Sequence, residues 1–250
     1  MSEANLRLNL RTRVETFKGS GFWDEMIIQR PFPVEQTAIL ICDMWDKHWC
    51  RGATERVEAM APIINSVIEV ARENGVLIIH SPSETMSYYA NTPYRQRIAN
   101  APYVEPPKQL ELPAPPALPI DDTDGGCDTG EKPWFKAWTR QHPALKIMYD
   151  DVISDDGQEI YNFIQQRGIK NLVIMGVHTN MCVLERSFGI KQMTRWGIRC
   201  ILVRDLTDAM YNPARPPHVT HETGTNLVIE YIEKYWCPSI SSEDLLTIFI

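Results

Sequence analysis

Residues 171–183, NLVIMGVHTNMCV, are the most informative stretch for the fold, because an apolar run is followed by a polar turn and then by a helical pattern. NLVIMGV (171–177) is apolar along almost its whole length, which is typical of a strand buried in a parallel sheet. From Val183 onward the spacing is helical. Cys182 therefore lies where a strand turns into a helix, close to amides that favour negative charge. This position predicts either a reactive thiolate or a buried packing cysteine.

Three further apolar runs have the same character: TAILICD (37–43), VLIIH (76–80) and IRCILVR (198–204). A fifth strand is expected at ALKIMYD (144–150), although its pattern is weaker. Segments with helical periodicity separate the strands, at residues 55–74, 157–168, 183–197 and 220–236. This alternation predicts one open, doubly wound, mainly parallel sheet, with the three-layer α/β/α arrangement of a Rossmann-like fold. Ligands of such sheets bind beyond the carboxyl ends of the strands.

Two segments fall outside this repeating unit. Residues 1–33 contain the alternating LRLNLRTRV and predict a β-ribbon arm that can pack on a neighbouring subunit. Residues 34–250 are predicted to form the main domain. Within it, residues 101–143 contain half of the 18 prolines. A loop of this length is usually functional or disordered, and its aromatic side chains favour an ordered lid.

Composition excludes several classes of function. The formal net charge of -7 argues against a surface whose main role is to bind phosphates or nucleic acid. No apolar run is long enough to cross a bilayer, and the N-terminus does not resemble a secretion signal, so a cytoplasmic protein is expected. The six cysteines form no CxxC pair, which argues against a zinc knuckle or a dense disulfide framework. Cys127, in a polar glycine-rich loop, is expected to be exposed.

Asp43 ends the first core strand and is interpreted as either a helix N-cap or a general base. Asp43 and Cys182 would face one crevice if their strands are neighbours. A carboxylate alone raises the pKa of a thiol, so a cation is needed to support a thiolate. Lys146, in the apolar ALKIMY segment, is predicted to supply it. The other lysines of this region, Lys132, Lys136 and Lys170, are alternatives.

Four segments together resemble the isochorismatase-like family of cysteine hydrolases, which includes nicotinamidases and N-carbamoylsarcosine amidohydrolase. They are LICDMWDKHW (40–49), ALKIMYDD (144–151), GVHTNMCV (176–183) and RDLTDAM with HVTHETG (204–210 and 218–224). The resemblance covers roughly residues 35–240. It implies a catalytic triad of Asp43, Lys146 and Cys182. It also implies a non-proline cis peptide between Val177 and His178, and an oxyanion hole formed by the backbone amides of His178 and Cys182.

The activity that this resemblance implies is cleavage of a C–N bond, of the amide or ureide type, in a small molecule. Cys182 would form a thioester intermediate, and no cofactor is expected. The predicted partners are a small-molecule substrate and further copies of the chain, with no nucleic acid and no membrane. Seven residues are candidates for contact with the substrate: Trp45, Tyr88, Trp134, Phe135, Trp138, His142 and Thr179.

Three alternatives remain open at the level of sequence. A catalytically silent relative would use Cys182 as a thiol sensor or bind a partner through the insert. A vinyl-ether hydrolase of the isochorismatase type needs no thiol, although Cys182 is present here. Metal-assisted hydrolysis is the third alternative. Nicotinamidases often bind a metal through an Asp-x-His pair after the second strand, where this chain has His80 alone. No metal ligand is therefore predicted, although Asp46 and His48 form such a pair after the first strand.

Overall fold

A computed structural model describes residues 4–132 and 135–246, which build one eight-stranded sheet with helices on both faces. The strands are β1 (Asn5–Glu15), β2 (Trp23–Pro33), β3 (Thr37–Cys42), β4 (Leu77–Ser81), β5 (Val152–Ile153), β6 (Asn171–Val177), β7 (Arg199–Asp208) and β8 (Ser239–Ile240). The helices are α1 (Arg51–Glu73), α2 (Met86–Tyr89), α3 (Pro93–Ala99), α4 (Gly157–Gln166), α5 (Cys182–Glu185), α6 (Ile190–Arg195), α7 (His221–Tyr235) and α8 (Glu243–Leu246). A single turn of 3-10 helix, Val34–Gln36, precedes β3.

The order of strands across the sheet is β2-β1-β8-β7-β6-β3-β4-β5. Strands β3 to β8 are parallel, whereas β1 pairs antiparallel with both β2 and β8. Every residue of β3 and β6 is buried, as expected for central strands that are covered on both faces. The chain leaves β3 towards β4 on one side and later returns to β6 on the other. The carboxyl ends of β3 and β6 therefore flank a topological switch point, where ligands of such sheets bind.

Two apolar layers enclose the sheet. Helix α1 places its buried stripe, which includes Val57, Ile64 and Ile68, on one face. Helices α4 to α7 cover the other face. Side-chain N-caps begin two of these helices, because Asp156 accepts a hydrogen bond from the amide of Glu159 and Thr220 accepts one from Thr223. The predicted three-layer α/β fold with a mainly parallel sheet is confirmed.

Two local predictions are wrong. The segment ALKIMYD (144–150) is not a strand but a series of turns, in which the amide of Leu145 donates to the carbonyl of His142. The fifth parallel strand is instead β5, only two residues long, which pairs with β4. The single helix predicted over residues 183–197 is divided into α5 and α6. Between them Arg186 is extended, with ψ 155°, and Gly189 precedes α6.

The two segments outside the repeating unit are attached to the sheet in different ways. Strands β1 and β2 form a hairpin that continues the sheet, and β1 reaches β8 through the pair Arg11 and Ser239. Residues 101–132 and 135–143 contain no helix and no strand beyond a bridge between Trp45 and Gln141. The division into an arm and a domain remains a prediction. Within the described ranges, no helix is both long enough and apolar enough to cross a membrane.

Candidate active site

The carboxyl ends of β3 and β6 bring Asp43 and Cys182 together. Cys42 and Gly176 are opposite each other in the register, so Asp43 and the turn after Val177 project from the same edge. Gly176 has φ 111°, and a Cβ at this position would lie 2.1 Å from the carbonyl oxygen of Cys42. Only glycine permits this close approach, which sets the spacing of the two strands at the site. The peptide bond between Val177 and His178 is cis.

Asp43 is fully buried, and its carboxylate is held on both oxygens. Oδ1 accepts a hydrogen bond of 2.6 Å from the amide of Ser83, at the end of β4. Oδ2 accepts one of 3.1 Å from Nε of Arg186. The backbone of Asp43 adopts φ 45°, a left-handed conformation that Asp tolerates better than most residues. These contacts favour the general-base interpretation of Asp43 over a helix N-cap.

The cation beside Asp43 is Arg186, not Lys146. The Lys146 side chain is exposed, and its ammonium group lies 3.3 Å from the carbonyl oxygen of Pro143. The backbone amide of Lys146 donates to the side chain of Asn65, on α1. Because residues 144–150 form turns rather than a strand, Lys146 is not directed into the crevice. The predicted triad is corrected accordingly to Asp43, Arg186 and Cys182 as the groups in contact.

Arg186 lies one helical turn after Cys182, which places it on the same side of α5, and it reaches Asp43 from there. The carbonyl of Cys182 accepts a hydrogen bond from the amide of Arg186, which closes α5 after a single turn. Arg186 is one-third exposed and lines the cavity above the sulfur, whereas its partner Asp43 is fully buried. The Coulombic attraction of Asp43 raises the pKa of Arg186 against the opposing effect of burial, so the guanidinium stays charged.

The thiol of Cys182 is protonated at rest. Burial, followed by the nearby charge of Asp43, raises the pKa of Cys182 above its ordinary value, while Arg186 opposes that rise. This corrects the expectation of a resting thiolate. The Cys182 thiol favours the charged form of Asp43, and the backbone amide of His178 favours the thiolate form of Cys182. The arrangement is a thiol with an acceptor for its proton on one side and a backbone donor on the other.

Burial also raises the pKa of Asp43, although Arg186, Cys182 and Ser83 all favour its charged form. Arg186 therefore opposes the effect of burial on both Asp43 and Cys182. Two histidines nearby are neutral, because burial lowers the pKa of His48 to about 4 and that of His178 to about 3. Neither histidine is positively charged at neutral pH, so Arg186 is the positive charge that faces the sulfur.

Above the sulfur lies a cavity of about 190 Å³. It is smaller than the pockets of about 300–1,000 Å³ that hold drug-sized ligands. The residues that line it are Trp45, His48, Trp49, Glu84, Gly125, Trp138, His178, Met181, Cys182, Arg186 and Met210. Of the predicted site residues, Trp45, Trp138, His178 and Cys182 are therefore brought together here.

An aromatic platform forms one wall of the cavity. Trp45 and Trp138 stack with their ring centroids 4.3 Å apart, and His48 stacks on Trp138 at 5.7 Å. Trp45 donates its Nε1 hydrogen to the carbonyl of Ser83. Within the described ranges, the buried Nε1 of Trp138 and the buried Nε2 of His178 have no hydrogen-bond partner. Such atoms are costly to bury unless a ligand or water satisfies them.

Four other candidate residues do not line this cavity. Tyr88 and Phe135 are exposed, and the Tyr88 hydroxyl accepts a hydrogen bond from Arg140. His142 is buried beside Glu58, with 2.9 Å between Nε2 and Oε2. Thr179 is fully buried and its hydroxyl contacts that of Thr207 at 2.8 Å, so it supports the turn from behind. The seventh candidate, Trp134, lies outside the described residues.

The Asp-x-His pair after β3 does not form a metal site. Asp46 accepts hydrogen bonds from the amide and hydroxyl of Thr139. Nδ1 of His48 accepts one from the amide of Cys50. The two side chains are thus engaged with different parts of the chain. The buried His80, after the second parallel strand, is held between Gln141 and Asp151.

The comparisons with known proteins agree with this architecture. The model of the isochorismatase domain family matches residues 37–220. A cysteine hydrolase from Pseudomonas syringae pv. phaseolicola 1448A superposes with a TM-score of 0.55 at 14% identity, over 88% of this chain and 94% of that chain. A putative isochorismatase from Burkholderia xenovorans LB400 gives a TM-score of 0.50 at 14% identity, over 83% and 84%. At these identities the superpositions establish a shared fold. Among curated proteins, no significant sequence match is found.

Proposed function

The chain belongs to the isochorismatase domain family, and from that premise we propose that it is a cysteine hydrolase that cleaves a C–N bond of a small molecule. The bond is of the amide or ureide type. Cys182 is the nucleophile, Asp43 is the general base and acid, and Arg186 is the cation that keeps their shared negative charge in place.

One observation supports this proposal above the others. The Cys182 thiol opens on a small cavity while the buried carboxylate of Asp43 interacts with it electrostatically. A structural cysteine needs neither the cavity nor the buried acceptor, and titratable groups with shifted pKa values in a cleft are typical of functional sites. Arg186, 3.1 Å from Asp43, makes ionisation of the pair possible inside the protein.

In the acylation step, the proton of Cys182 passes to Asp43 as the sulfur attacks the carbonyl carbon of the substrate. Negative charge leaves the carboxylate and develops on the substrate oxygen. The amide of His178, which donates towards the sulfur, and the amide of Cys182 form the oxyanion hole. One such donor typically contributes about 3 kcal/mol to stabilisation of the transition state.

Collapse of the tetrahedral intermediate breaks the C–N bond. Protonated Asp43 gives its proton to the leaving nitrogen, which departs as ammonia or an amine and leaves a thioester on Cys182. Asp43, again a carboxylate, then removes a proton from an incoming water. The water attacks the thioester, the acid product leaves, and the thiol is regenerated. Arg186 remains charged throughout and takes no proton.

The cavity favours a small substrate that is not an anion. Arg186 is already paired with Asp43, and His48 and His178 are neutral, so among the described lining residues no unpaired positive charge is offered to a substrate anion. The platform of Trp45 and Trp138 suits an apolar or planar group. The free Nε1 hydrogen of Trp138 is a donor for a carbonyl or hydroxyl oxygen of the substrate.

The experiment is ammonia release from a panel of small neutral amides and ureides by the wild-type chain, with the variants Cys182→Ala and Cys182→Ser. Turnover should be lost in both variants, because neither side chain supplies a thiolate. Lys146→Ala is the matched control and should retain turnover, since Lys146 lies on the surface. A vinyl ether included in the panel tests the isochorismatase-type reaction.

Two outcomes would contradict the proposal. Turnover that persists in Cys182→Ala would exclude the thioester route and favour direct attack by water. A wild-type chain that releases no ammonia and whose Cys182 resists alkylation would favour the catalytically silent alternative. In that case the cavity above the thiol would serve binding alone.

A further inference from the structure

Two cysteines that are far apart in sequence meet outside the active site. Cys50 immediately precedes α1, and Cys127 lies in the loop over residues 125–131. Both side chains are buried and both thiols are free. The expectation that Cys127 is exposed is therefore wrong, because the loop folds back over the start of α1. Glu131 completes the group, and the ligand atoms of all three residues lie within 4.8 Å of one another.

We propose that Cys50, Cys127 and Glu131 bind a thiophilic divalent cation of the Zn²⁺ class, with a water molecule as the fourth ligand. The spacing of the donors supports this assignment. The Cys127 sulfur is 3.3 Å from Oε2 of Glu131. Ligands at about 2.3 Å (sulfur) and about 2.0 Å (oxygen) from a tetrahedral Zn²⁺ are separated by about 3.5 Å. Two thiolates with one carboxylate select such a cation over Mg²⁺ or Ca²⁺.

A supporting shell already orients the three ligands. The hydroxyl of Thr129 lies 3.5 Å from the sulfur of Cys50 and 3.6 Å from that of Cys127, and it contacts Glu131 at 2.5 Å. The first amides of α1 point into the same group. The amide of Arg51 donates to Glu131 and that of Gly52 to Thr129. Contacts of this kind fix the ligands of metal sites and increase their affinity.

The fourth position is assigned to water because the nearest other carboxylate is engaged. Oδ1 of Asp128 is 3.7 Å from the sulfur of Cys50, but Arg56 binds both oxygens of Asp128, at 2.8 and 3.2 Å. Glu131 is only partly buried and provides the side from which a cation enters. The bound ion would bear two thiolates and one carboxylate, which leaves a single net negative charge beside the N-terminus of α1.

The position of these three ligands indicates a structural metal site beside the active site. Cys50 and Cys127 belong to the same apolar cluster as Trp45, Trp138 and Met210, which line the cavity. A cation would fasten the loop, whose Gly125 is also a cavity residue, to the start of α1. It would hold the cavity wall without touching the substrate. This site is separate from the Asp46 and His48 pair.

The test is a titration of the reduced, chelator-stripped full-length chain with Zn²⁺ against a chromophoric chelator. One Zn²⁺ per chain is expected, together with an upward shift in the melting temperature. Cys50→Ser and Cys127→Ser should lose stoichiometric binding, and Glu131→Gln should weaken binding at least about tenfold. Cys182→Ala is the matched control, because it removes a thiol that is not one of the three proposed ligands, and it should bind Zn²⁺ as the wild type does.

Co²⁺ provides a second measurement that needs no variant. The wild-type chain loaded with Co²⁺ should show thiolate-to-metal charge transfer and the intense visible bands of a tetrahedral site. Absence of these bands, absence of stoichiometric Zn²⁺ binding, or binding that survives Cys50→Ser and is lost in Cys182→Ala would each overturn the proposal. A Cys50–Cys127 disulfide in the chain as purified would also overturn it and identify the pair as a redox centre.

Discussion

Replacement of Arg186 by Met should slow the reaction in a way that depends on pH. The guanidinium Nε is 3.1 Å from Oδ2 of Asp43, which is fully buried. Two unit charges whose centres are about 4 Å apart attract by about 4 kcal/mol at an effective dielectric constant of about 20. Because the Arg186 side chain is 34% exposed, solvent screens roughly half of this attraction, and about 2 kcal/mol of it remains. That energy corresponds to about 30-fold in rate.

The loss should appear on the acid limb of the profile of kcat/KM against pH. Without Arg186, the single negative charge shared by Asp43 and Cys182 is less stable, so the pair takes up a proton and becomes inactive. The acid limb of Arg186→Met should therefore move to higher pH, with activity recovering as the pH rises. Arg186→Lys keeps the positive charge, so its acid limb should lie between those of the wild type and Arg186→Met.

Lys146→Met is the matched control, since it also replaces a basic side chain by Met, at the exposed Lys146. The assay is a set of full pH profiles of kcat/KM with the most active amide of the panel. A wild-type acid limb in Arg186→Met would refute the assignment of Arg186. Loss of activity in Lys146→Met would restore the lysine to the triad.

Three further outcomes are expected. Burial raises the pKa of Asp43 in the folded chain above its value in the unfolded chain. The charged carboxylate therefore destabilises the fold at a pH above the folded-state pKa, and this effect disappears below the unfolded-state pKa. Asp43→Asn should abolish turnover yet raise the melting temperature at pH 7.5, and the difference from the wild type should shrink towards pH 4. An unchanged or lower melting temperature at pH 7.5 would contradict this. Trp138→Phe keeps the aromatic stack but removes the unpartnered Nε1 donor. The KM of this variant should rise about 5- to 10-fold with little change in kcat. An unchanged KM would show that the substrate does not use the donor. Gly176→Ala places a Cβ 2.1 Å from the carbonyl of Cys42 at φ 111°, and it should lower the free energy of unfolding by about 3 kcal/mol or more in urea denaturation, whereas a loss below about 1 kcal/mol would contradict the packing.

The fold was predictable because its strands are apolar on both faces. NLVIMGV and TAILICD are typical of central parallel strands, and Gly75, Gly168 and Gly197, which have positive φ, end the helices before β4, β6 and β7. The predicted strand at 144–150 failed because β5 is a two-residue edge pairing, too short to leave a periodic pattern. The prediction of a single helix after Cys182 failed for a related reason. Its break at Arg186–Gly189 is set by backbone contacts between turns, while the side-chain spacing still reads as one helix.

The candidate site was predictable where its residues follow strands and not where they come from loops. Asp43 and Cys182 were expected to face one crevice if their strands are neighbours, and β3 and β6 do pair directly. Arg186 was missed because only lysines were considered as the cation that supports the thiolate. Its position four residues after Cys182 was the available signal. The contact between Cys50 and Cys127 was missed because Cys127 lies in the long insert, whose path no periodicity reveals.

The central claim is that Asp43 activates Cys182 as a nucleophile, and an activated acyl donor tests it without knowledge of the substrate. The chain is mixed with 4-nitrophenyl acetate, the burst of nitrophenolate is recorded, and the acetyl group is located by peptide mass spectrometry. We expect a burst of about one equivalent per chain, with the acetyl group on Cys182 rather than on the other five cysteines, and a burst rate at least about 100-fold lower in Asp43→Asn. An acetyl group elsewhere in the chain, or a burst on Cys182 that is unchanged in Asp43→Asn, would contradict the account.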